Sequence, residues 1–246
     1  MGDSQRRMKS VRHVGIVAVS AEGAALCYRT LCVEGASALG PHAHPPVTMH
    51  TYPLSEYMRL IESGNWDGVA DLMARSASIL IGAGAELLVC PDNTIHQAYD
   101  RAAAQVGVPW LHIAEEIARE ATTRGYRRLG ILGTRYLMEG LVYPSRLEPR
   151  GIGYEFPEPE DRVRIDGVIM DELVYGRFTH ESRGYFADVI ARLAGKECDA
   201  VVLGCTEIPL LVGPEDSPLP VLDSTRLLAR AALREAVGIR PDPSSA

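Results

Sequence analysis

The chain has 246 residues, of which 46% are hydrophobic and 23% charged, which is ordinary for a globular protein of one large or two small domains. Its net charge of −7 predicts no binding to nucleic acid or to an anionic membrane surface, and no apolar stretch approaches the ~20 residues of a membrane span. Five cysteines, an odd number, predict free thiols in a reducing compartment. The apolar run at 14–19 is too short for an export signal, so we expect a cytoplasmic protein.

Short apolar runs rich in Val, Ile and Leu are typical of strands that are covered on both faces, as in a parallel sheet. The predicted strands are 13–18, 46–51, 86–90, 109–112, 128–132, 152–155, 199–203 and 219–222. The predicted helices are 54–63, 66–84, 93–106, 113–124, 136–147, 166–175, 180–195 and 224–236. This alternation predicts parallel βαβ units and therefore an α/β fold.

Two matched pairs of segments indicate an internal duplication. The run 14–18 resembles 129–133, and the run that ends at Cys90 resembles the one that ends at Cys205. The two pairs are separated by the same distance, since 130 − 15 and 205 − 90 are both 115 residues. We therefore expect two pseudo-symmetric, Rossmann-like lobes with an active site in the cleft between them.

The expected first lobe comprises residues 11–113 plus 223–240, and the expected second lobe comprises 114–222. Residues 1–10 and 241–246 are expected to be flexible tails, because they are polar and lack an apolar pattern.

Polar residues follow several of the predicted strands, and ligands of open α/β sheets bind beyond the carboxyl ends of strands. With neighbouring backbone N–H groups, such side chains can hold a carboxylate at helix N-termini. The candidates for substrate binding are Ser20, Asn93, Thr94, Thr134 and Thr206. Each Ser or Thr could equally be an ordinary helix N-cap.

Four motifs together resemble the aspartate/glutamate racemase family. They are Asn93-Thr-Ile-His96, Gly204-Cys-Thr-Glu-Ile-Pro209, Leu132-Gly-Thr-Arg135 and Leu222-Asp-Ser-Thr-Arg226. The resemblance runs from about residue 11 to residue 236 and implies enzymes that are independent of pyridoxal phosphate. It implies two thiols, one in each lobe, that act on opposite faces of the substrate α-carbon. One removes the proton and the other returns a proton to the far side.

Cys205 matches the second thiol of that family. It lies at the end of a predicted strand and before a predicted helix N-terminus, where a positive local potential lowers the pKa of a thiol from about 8.5 toward neutrality. The alternative is a buried, inert cysteine. Thr206 and the supporting residue Glu207 beside it favour the catalytic interpretation.

The first site departs from the family pattern, because Asp92 stands before Asn93 where the family usually has a cysteine. Three hypotheses remain open at this point. Asp92 could be the second acid/base group, Cys90 could supply that group if Pro91 bends the chain, or Asp92 could be only a helix N-cap.

An Asp–Cys pair differs from a thiol pair in its proton distribution. The usual pKa values, ~3.9 for Asp and ~8.5 for Cys, favour an ionised Asp92 with a protonated Cys205 at neutral pH. The reverse direction needs a neutral Asp92 with a thiolate, which is costlier unless burial raises the pKa of Asp92. This departure argues for proton transfer next to a carboxylate as the common chemistry, and less for ordinary racemisation of aspartate or glutamate.

His96 is expected to lie one turn into its helix and to support the site by a hydrogen bond between the lobes. No metal is expected, because no Cys/His cluster is present. No cofactor is expected, because Gly82-Ala-Gly84 precedes a strand instead of following one, which is the wrong order for a dinucleotide loop.

These features predict a cofactor-independent amino-acid racemase or epimerase that acts on a small carboxylate or amino-acid substrate. The alternatives are a decarboxylase, a cis–trans isomerase of a small dicarboxylic acid, or a carboxylate-binding protein without catalysis. The family resemblance, with the aromatic residues Tyr28, Tyr57 and Trp66, also predicts a homodimer.

Overall fold

Two four-stranded parallel sheets organise residues 11–238, the part of the chain that this computed structural model describes. The strands are β1 (Val14–Ala18), β2 (Val47–Thr51), β3 (Leu87–Val89), β4 (Trp110–Leu111), β5 (Arg128–Leu132), β6 (Gly153–Glu155), β7 (Ala200–Leu203) and β8 (Val221–Asp223). The first sheet has the order β2-β1-β3-β4 and the second the equivalent order β6-β5-β7-β8. The predicted two-lobed α/β fold is confirmed, and a strand overlaps each of the eight predicted runs.

Helices connect the strands as parallel crossovers require. The α-helices of the described residues are α1 (Ala21–Leu39), α2 (Leu54–Glu62), α3 (Trp66–Gly82), α4 (Tyr99–Ala103), α5 (Ile113–Arg124), α6 (Arg135–Met138), α7 (Pro144–Leu147), α8 (Pro159–Asp171), α9 (His180–Gly195), α10 (Ile208–Leu211) and α11 (Ser224–Val237). Short 3₁₀ helices cover Thr94–Ala98, Glu148–Arg150, Leu173–Tyr175 and Pro214–Asp216.

Two helices of the first lobe differ from the prediction. The nineteen-residue α1 is absent from the predicted set, because Gly23 and Gly35 interrupt its apolar periodicity. The predicted helix at 93–106 is a 3₁₀ turn, Thr94–Ala98, that continues into the short α4.

Two helices of the second lobe also differ. The predicted helix at 136–147 is divided, because Gly140 lies between α6 and α7, and Pro144 begins the second of them. The predicted helix at 166–175 begins earlier, at Pro159, since proline is favoured in the first turn of a helix.

Strand register corrects the alignment of the two halves. Gly15 of β1 pairs with Leu88 of β3, and the matching Gly130 of β5 pairs with Val201 of β7. Leu88 and Val201 are therefore equivalent and lie 201 − 88 = 113 residues apart. The matching of Cys90 with Cys205 at 115 residues was therefore wrong by two positions. A spacing of 113 makes the residue before Asn93, which is Asp92, the counterpart of Cys205.

The last helix returns to the first lobe, although it follows a strand of the second sheet. Leu228, Ala229 and Ala232 of α11 share a buried core with Val14 and Ile16 of β1. This return carries β8 and the start of α11 past the junction between the lobes.

Among residues 11–238, no helix is both long and apolar enough to cross a bilayer. The same residues contain no group of three or more His, Cys, Asp and Glu side chains that could hold a metal ion. The predicted tails, 1–10 and 241–246, lie outside the described residues.

Candidate active site

A cleft lies between the two lobes, beyond the carboxyl ends of the central strands. It contains about 540 Å³ of empty space, part of it open to solvent. Eight of the nine predicted site residues line it: Ser20, Asp92, Asn93, Thr94, Thr134, Cys205, Thr206 and Glu207. The ninth, His96, does not. Ser20 and Glu207, which are 207 − 20 = 187 positions apart in the chain, therefore meet in one cavity.

Cys205 is part of a buried network at the end of β7. Its Sγ donates a hydrogen bond to Oε2 of Glu207 over 3.0 Å, and the Thr206 hydroxyl donates to the same oxygen over 3.0 Å. Within the described chain, the other carboxylate oxygen of Glu207 has no hydrogen-bond partner. Glu207 is thus a buried acceptor with capacity for one further donor.

Burial and the Glu207 carboxylate raise the pKa of Cys205 well above its usual range. The expectation of a thiol pKa near neutrality is therefore wrong for this structure. The helix behind Cys205 is only the four-residue α10, which begins three positions later at Ile208, and it gives little positive potential. Cys205 is accordingly a protonated thiol at neutral pH.

Asp92 is partly buried at the end of β3, and its Oδ1 accepts a hydrogen bond from the Ile95 backbone N–H over 3.1 Å. Burial, with a smaller contribution from the Glu207 carboxylate, raises the pKa of Asp92 to about 6, although the backbone N–H groups of Ile95 and Thr94 oppose the rise. The cap and the acid/base hypotheses are therefore compatible, because one carboxylate oxygen caps the turn while the group titrates close to neutrality.

Cys90 lies in a different environment. Its side chain is fully buried in the core of the first lobe, in one cluster with Tyr57 and Leu88, and it does not line the cleft. Burial raises the pKa of Cys90 well above its usual range. The geometry therefore favours Asp92 over Cys90 as the partner of Cys205.

Hydroxyl pairs join the two lobes across the cleft. Ser20 Oγ lies 3.3 Å from Thr206 Oγ1, and Thr94 Oγ1 lies 2.8 Å from Thr134 Oγ1. Ser20 also caps α1 and Thr134 caps α6, so the cap and binding hypotheses are again compatible. Because the Thr206 hydroxyl already donates to Glu207, the hydroxyls of Ser20, Thr94 and Thr134 are the ones that can bring donors from both lobes to the cavity.

Asn93 connects its loop to the second lobe and to the start of α11. Its Nδ2 donates to Ser224 Oγ over 2.9 Å, and its Oδ1 accepts from the Tyr143 hydroxyl over 2.7 Å. Ser224 in turn donates to the Leu203 carbonyl over 2.8 Å. Tyr143 and Ser224 are absent from the predicted site. Ser224 directly follows β8, so the rule that ligands lie at strand ends could have found it, whereas nothing local singles out Tyr143.

His96 does not bridge the lobes, which corrects the expectation. Its Nδ1 donates to the Asp92 carbonyl over 2.6 Å, and its Nε2 accepts from the Ile113 N–H over 3.3 Å, so both contacts stay in the first lobe. Burial lowers the pKa of His96 to about 4, which keeps the imidazole neutral as this pair of contacts requires. His96 fixes the loop that carries Asp92.

Gly23 in the first turn of α1 determines how closely the lobes approach. A β-carbon on Gly23 would lie 2.3 Å from Thr206 Oγ1, far inside van der Waals contact. The position therefore requires glycine for steric reasons.

Further apolar side chains of the cleft come from α2, from the end of α8 and from the 3₁₀ helix Leu173–Tyr175. They are Leu54, Met58, Ile61, Ile169, Met170 and Val174. No sequence motif indicates them, because a helix exposes different residues to the cleft according to how it packs.

The fold and the site define a two-lobed α/β protein with one acid/base candidate from each lobe in a shared cleft. The sequence matches the family model described as Asp/Glu/hydantoin racemase over residues 14–232. The chain belongs to this family.

Relatives of known sequence or structure agree with that assignment. A glutamate racemase from Thermus thermophilus is 31% identical over 172 residues, which are 66% of this chain and 61% of the relative, so the chain spans about three fifths of its length. A Yersinia pestis protein assigned as an Asp/Glu racemase is 33% identical, with a TM-score of 0.84 over 92% of this chain and 99% of that one. An aspartate racemase homologue from Pyrococcus horikoshii is 25% identical, with a TM-score of 0.79 over the same shares.

Proposed function

We propose that the chain is a cofactor-independent amino-acid racemase or epimerase that moves a proton at the carbon next to a carboxylate. The observation that carries the proposal is the pairing of Asp92 with Cys205, which are equivalent by strand register and line one cleft from different lobes. Two acid/base groups on opposite sides of an α-carbon are sufficient for inversion by proton transfer.

In one direction, the Asp92 carboxylate removes the α-proton from the face of the first lobe. The thiol of Cys205 then gives its proton to the opposite face, which leaves a neutral Asp92 and a thiolate. The raised pKa of Asp92 reduces the cost of that product state relative to an ordinary aspartate. Proton exchange with solvent restores the starting pair, and the reverse reaction begins from the neutral acid and the thiolate.

The substrate carboxylate has a set of neutral donors available in the cleft. The hydroxyls of Ser20, Thr94 and Thr134 line it, together with the backbone of the loops that carry them, whereas the Thr206 hydroxyl already donates to Glu207. These donors would also stabilise the negative charge that develops on the carboxylate when the α-proton leaves. Glu207 has a supporting role, since it holds the Cys205 thiol at 3.0 Å.

The direct test follows the optical rotation of single enantiomers of amino acids, with Cys205→Ser and Asp92→Asn beside the parent protein. We expect inversion by the parent and a loss of at least ~10²-fold in each variant. A decarboxylase would release carbon dioxide, and a binding protein would leave the enantiomer unchanged. Inversion by Cys205→Ser within tenfold of the parent would refute the role of the thiol.

We further propose that the working form is a cytoplasmic homodimer. Its five cysteines are free, which fits a reducing compartment, and Tyr28 and Val33 expose apolar surface on α1. Tyr57 is fully buried and cannot belong to a subunit interface, which corrects that part of the expectation. Light scattering that gives the mass of one chain at micromolar concentration would contradict the dimer.

We also propose that the lobes are residues 11–113 with 223–240 and residues 114–222, as far as the described residues extend. The packing of α11 on α1 and β1 supports this division. Limited proteolysis near residue 114 should give two fragments that stay associated, because α11 of the second fragment packs on α1 and β1 of the first.

A further inference from the structure

We propose that the substrate is a zwitterionic α-amino acid with an apolar side chain, and not aspartate or glutamate. This inference rests on the proposed function and concerns the part of the cleft that would receive the substrate side chain. The cleft wall is apolar, and the charged residues that line the cleft are acids.

One wall of the cleft is formed by apolar side chains from both lobes. Leu54 and Met58 lie on α2 of the first lobe, and Ile169, Met170 and Val174 lie on or just after α8 of the second. A wall of this kind lowers the free energy of an apolar substituent that leaves water, by about 25 cal/mol for each Å² buried. It offers no hydrogen bond to a second carboxylate.

The charges of the lining residues also favour a zwitterionic substrate over a dicarboxylic one. None of the described residues that line it is Lys, Arg or His, and two of them, Asp92 and Glu207, are acids. A zwitterion brings one positive and one negative group, so its ammonium can balance the acids while the hydroxyls bind its carboxylate. A dicarboxylic amino acid would add a second negative charge with no cation to compensate it, and an unpaired charge in a partly desolvated site is costly.

Arg135 is a cation that lies next to the cleft in sequence, because it directly follows the lining residue Thr134. Its side chain is 55% exposed, and its guanidinium lies 3.8 Å from the Asp166 carboxylate. Its backbone N–H donates to Asp166 over 2.9 Å, and its guanidinium donates to the Tyr136 hydroxyl over 2.9 Å. The Arg135 guanidinium is therefore paired with Tyr136, which lines the cleft, but Arg135 itself is not among the lining residues.

The two methionines in the wall indicate tolerance among apolar side chains. Methionine is flexible and polarizable and adapts to ligands of different shape. We therefore expect leucine and methionine to be better substrates than alanine, which would leave the wall unfilled. A hydrophobic pocket distinguishes side chains by about 10-fold or more for each methylene that is lost.

The experiment measures kcat/KM for α-proton exchange in deuterated water, followed by proton NMR, with leucine, methionine, alanine, aspartate and glutamate. We expect leucine or methionine to exceed both acidic amino acids by at least ~10-fold. An acidic amino acid that matches or exceeds the apolar ones would overturn this inference while the proposed function stands. Exchange with none of them would overturn both.

Three variants locate the cause of the preference. Met170 lines the cleft but lies outside the buried core clusters, so substitutions there should leave the protein folded. Met170→Lys should raise the glutamate-to-methionine ratio of kcat/KM by at least ~10-fold, whereas the uncharged Met170→Gln should not. Arg135→Gln should leave that ratio unchanged. A selective loss of glutamate turnover in Arg135→Gln would show that a surface cation serves the site and would contradict the inference.

Discussion

Asp92→Asn should make the protein more stable and less active at the same time. The ionised carboxylate of Asp92 is disfavoured by burial and by Glu207, which is the reason that its pKa rises from 3.8 to about 6. Asparagine has no charge to bury, yet its side-chain oxygen can still accept the hydrogen bond of the Ile95 N–H. The substitution therefore removes an unfavourable charge while the turn keeps its cap.

The size of the gain follows from the change in pKa. Each pKa unit corresponds to about 1.36 kcal/mol, so the rise corresponds to about 3 kcal/mol of instability once Asp92 is ionised. The folded state holds this proton to a higher pH than the unfolded state does. The stability contributed by Asp92 is therefore highest below pH ~4 and is lost as the pH rises through about 6. The gain from Asp92→Asn should approach ~3 kcal/mol at pH 8 and fall to about half of that at pH 5.

Urea denaturation of the parent and of Asp92→Asn at pH 8 and at pH 5 gives this difference directly. Asp71→Asn, which removes an exposed carboxylate on α3, is the matched control for the change in net charge. Racemisation by Asp92→Asn should meanwhile fall by at least ~10²-fold. An equal effect on stability at both pH values, or a loss of stability at pH 8, would refute the assignment of a desolvated carboxylate.

Three further results are expected. For the direction in which Asp92 removes the proton, kcat/KM should rise with pH and level off above about 6, and a flat profile between pH 4.5 and 7.5 would contradict this. Gly23→Ala should cut activity at least ~10-fold by pushing Thr206 aside, whereas Gly82→Ala, with open space around it, should be neutral; equal activities would exclude the steric role. Tyr143→Phe removes a donor across the lobes and should lower the free energy of unfolding by about 1–3 kcal/mol, and an unchanged denaturation midpoint would argue against it.

The sequence predicts the catalytic side of the cleft well, because that side depends on local rules. Asp92 and Cys205 lie within three residues of the ends of β3 and β7, and runs of Val, Ile and Leu identify those strands directly. The hydroxyls that cap α1 and α6 are found by the same rule. Side chains at the carboxyl ends of parallel strands meet at one edge of a sheet regardless of how the helices pack.

The apolar wall and the state of the thiol could not be predicted in this way. Met58 and Met170 reach the cleft only because α2 and α8 cross it at particular angles, which depend on long-range packing. The pKa of Cys205 depends on the position of the Glu207 carboxylate. The sequence does not determine that position, because a side chain two residues away can lie on either side of the chain. The offset of 115 residues was misleading for a related reason, since strand register and not the spacing of like residues determines which positions are equivalent.

The central claim is that two groups on opposite faces of one α-carbon exchange its proton, and the isotope content of the two enantiomers tests it most directly. The parent protein is given one protiated enantiomer of a substrate in deuterated water, and the reaction is stopped at low conversion. The account predicts that the inverted product carries one solvent-derived deuterium at the α-carbon, while the recovered substrate remains largely protiated. Product that keeps the original proton would indicate a single group that serves both faces, and it would contradict the roles of Asp92 and Cys205 together.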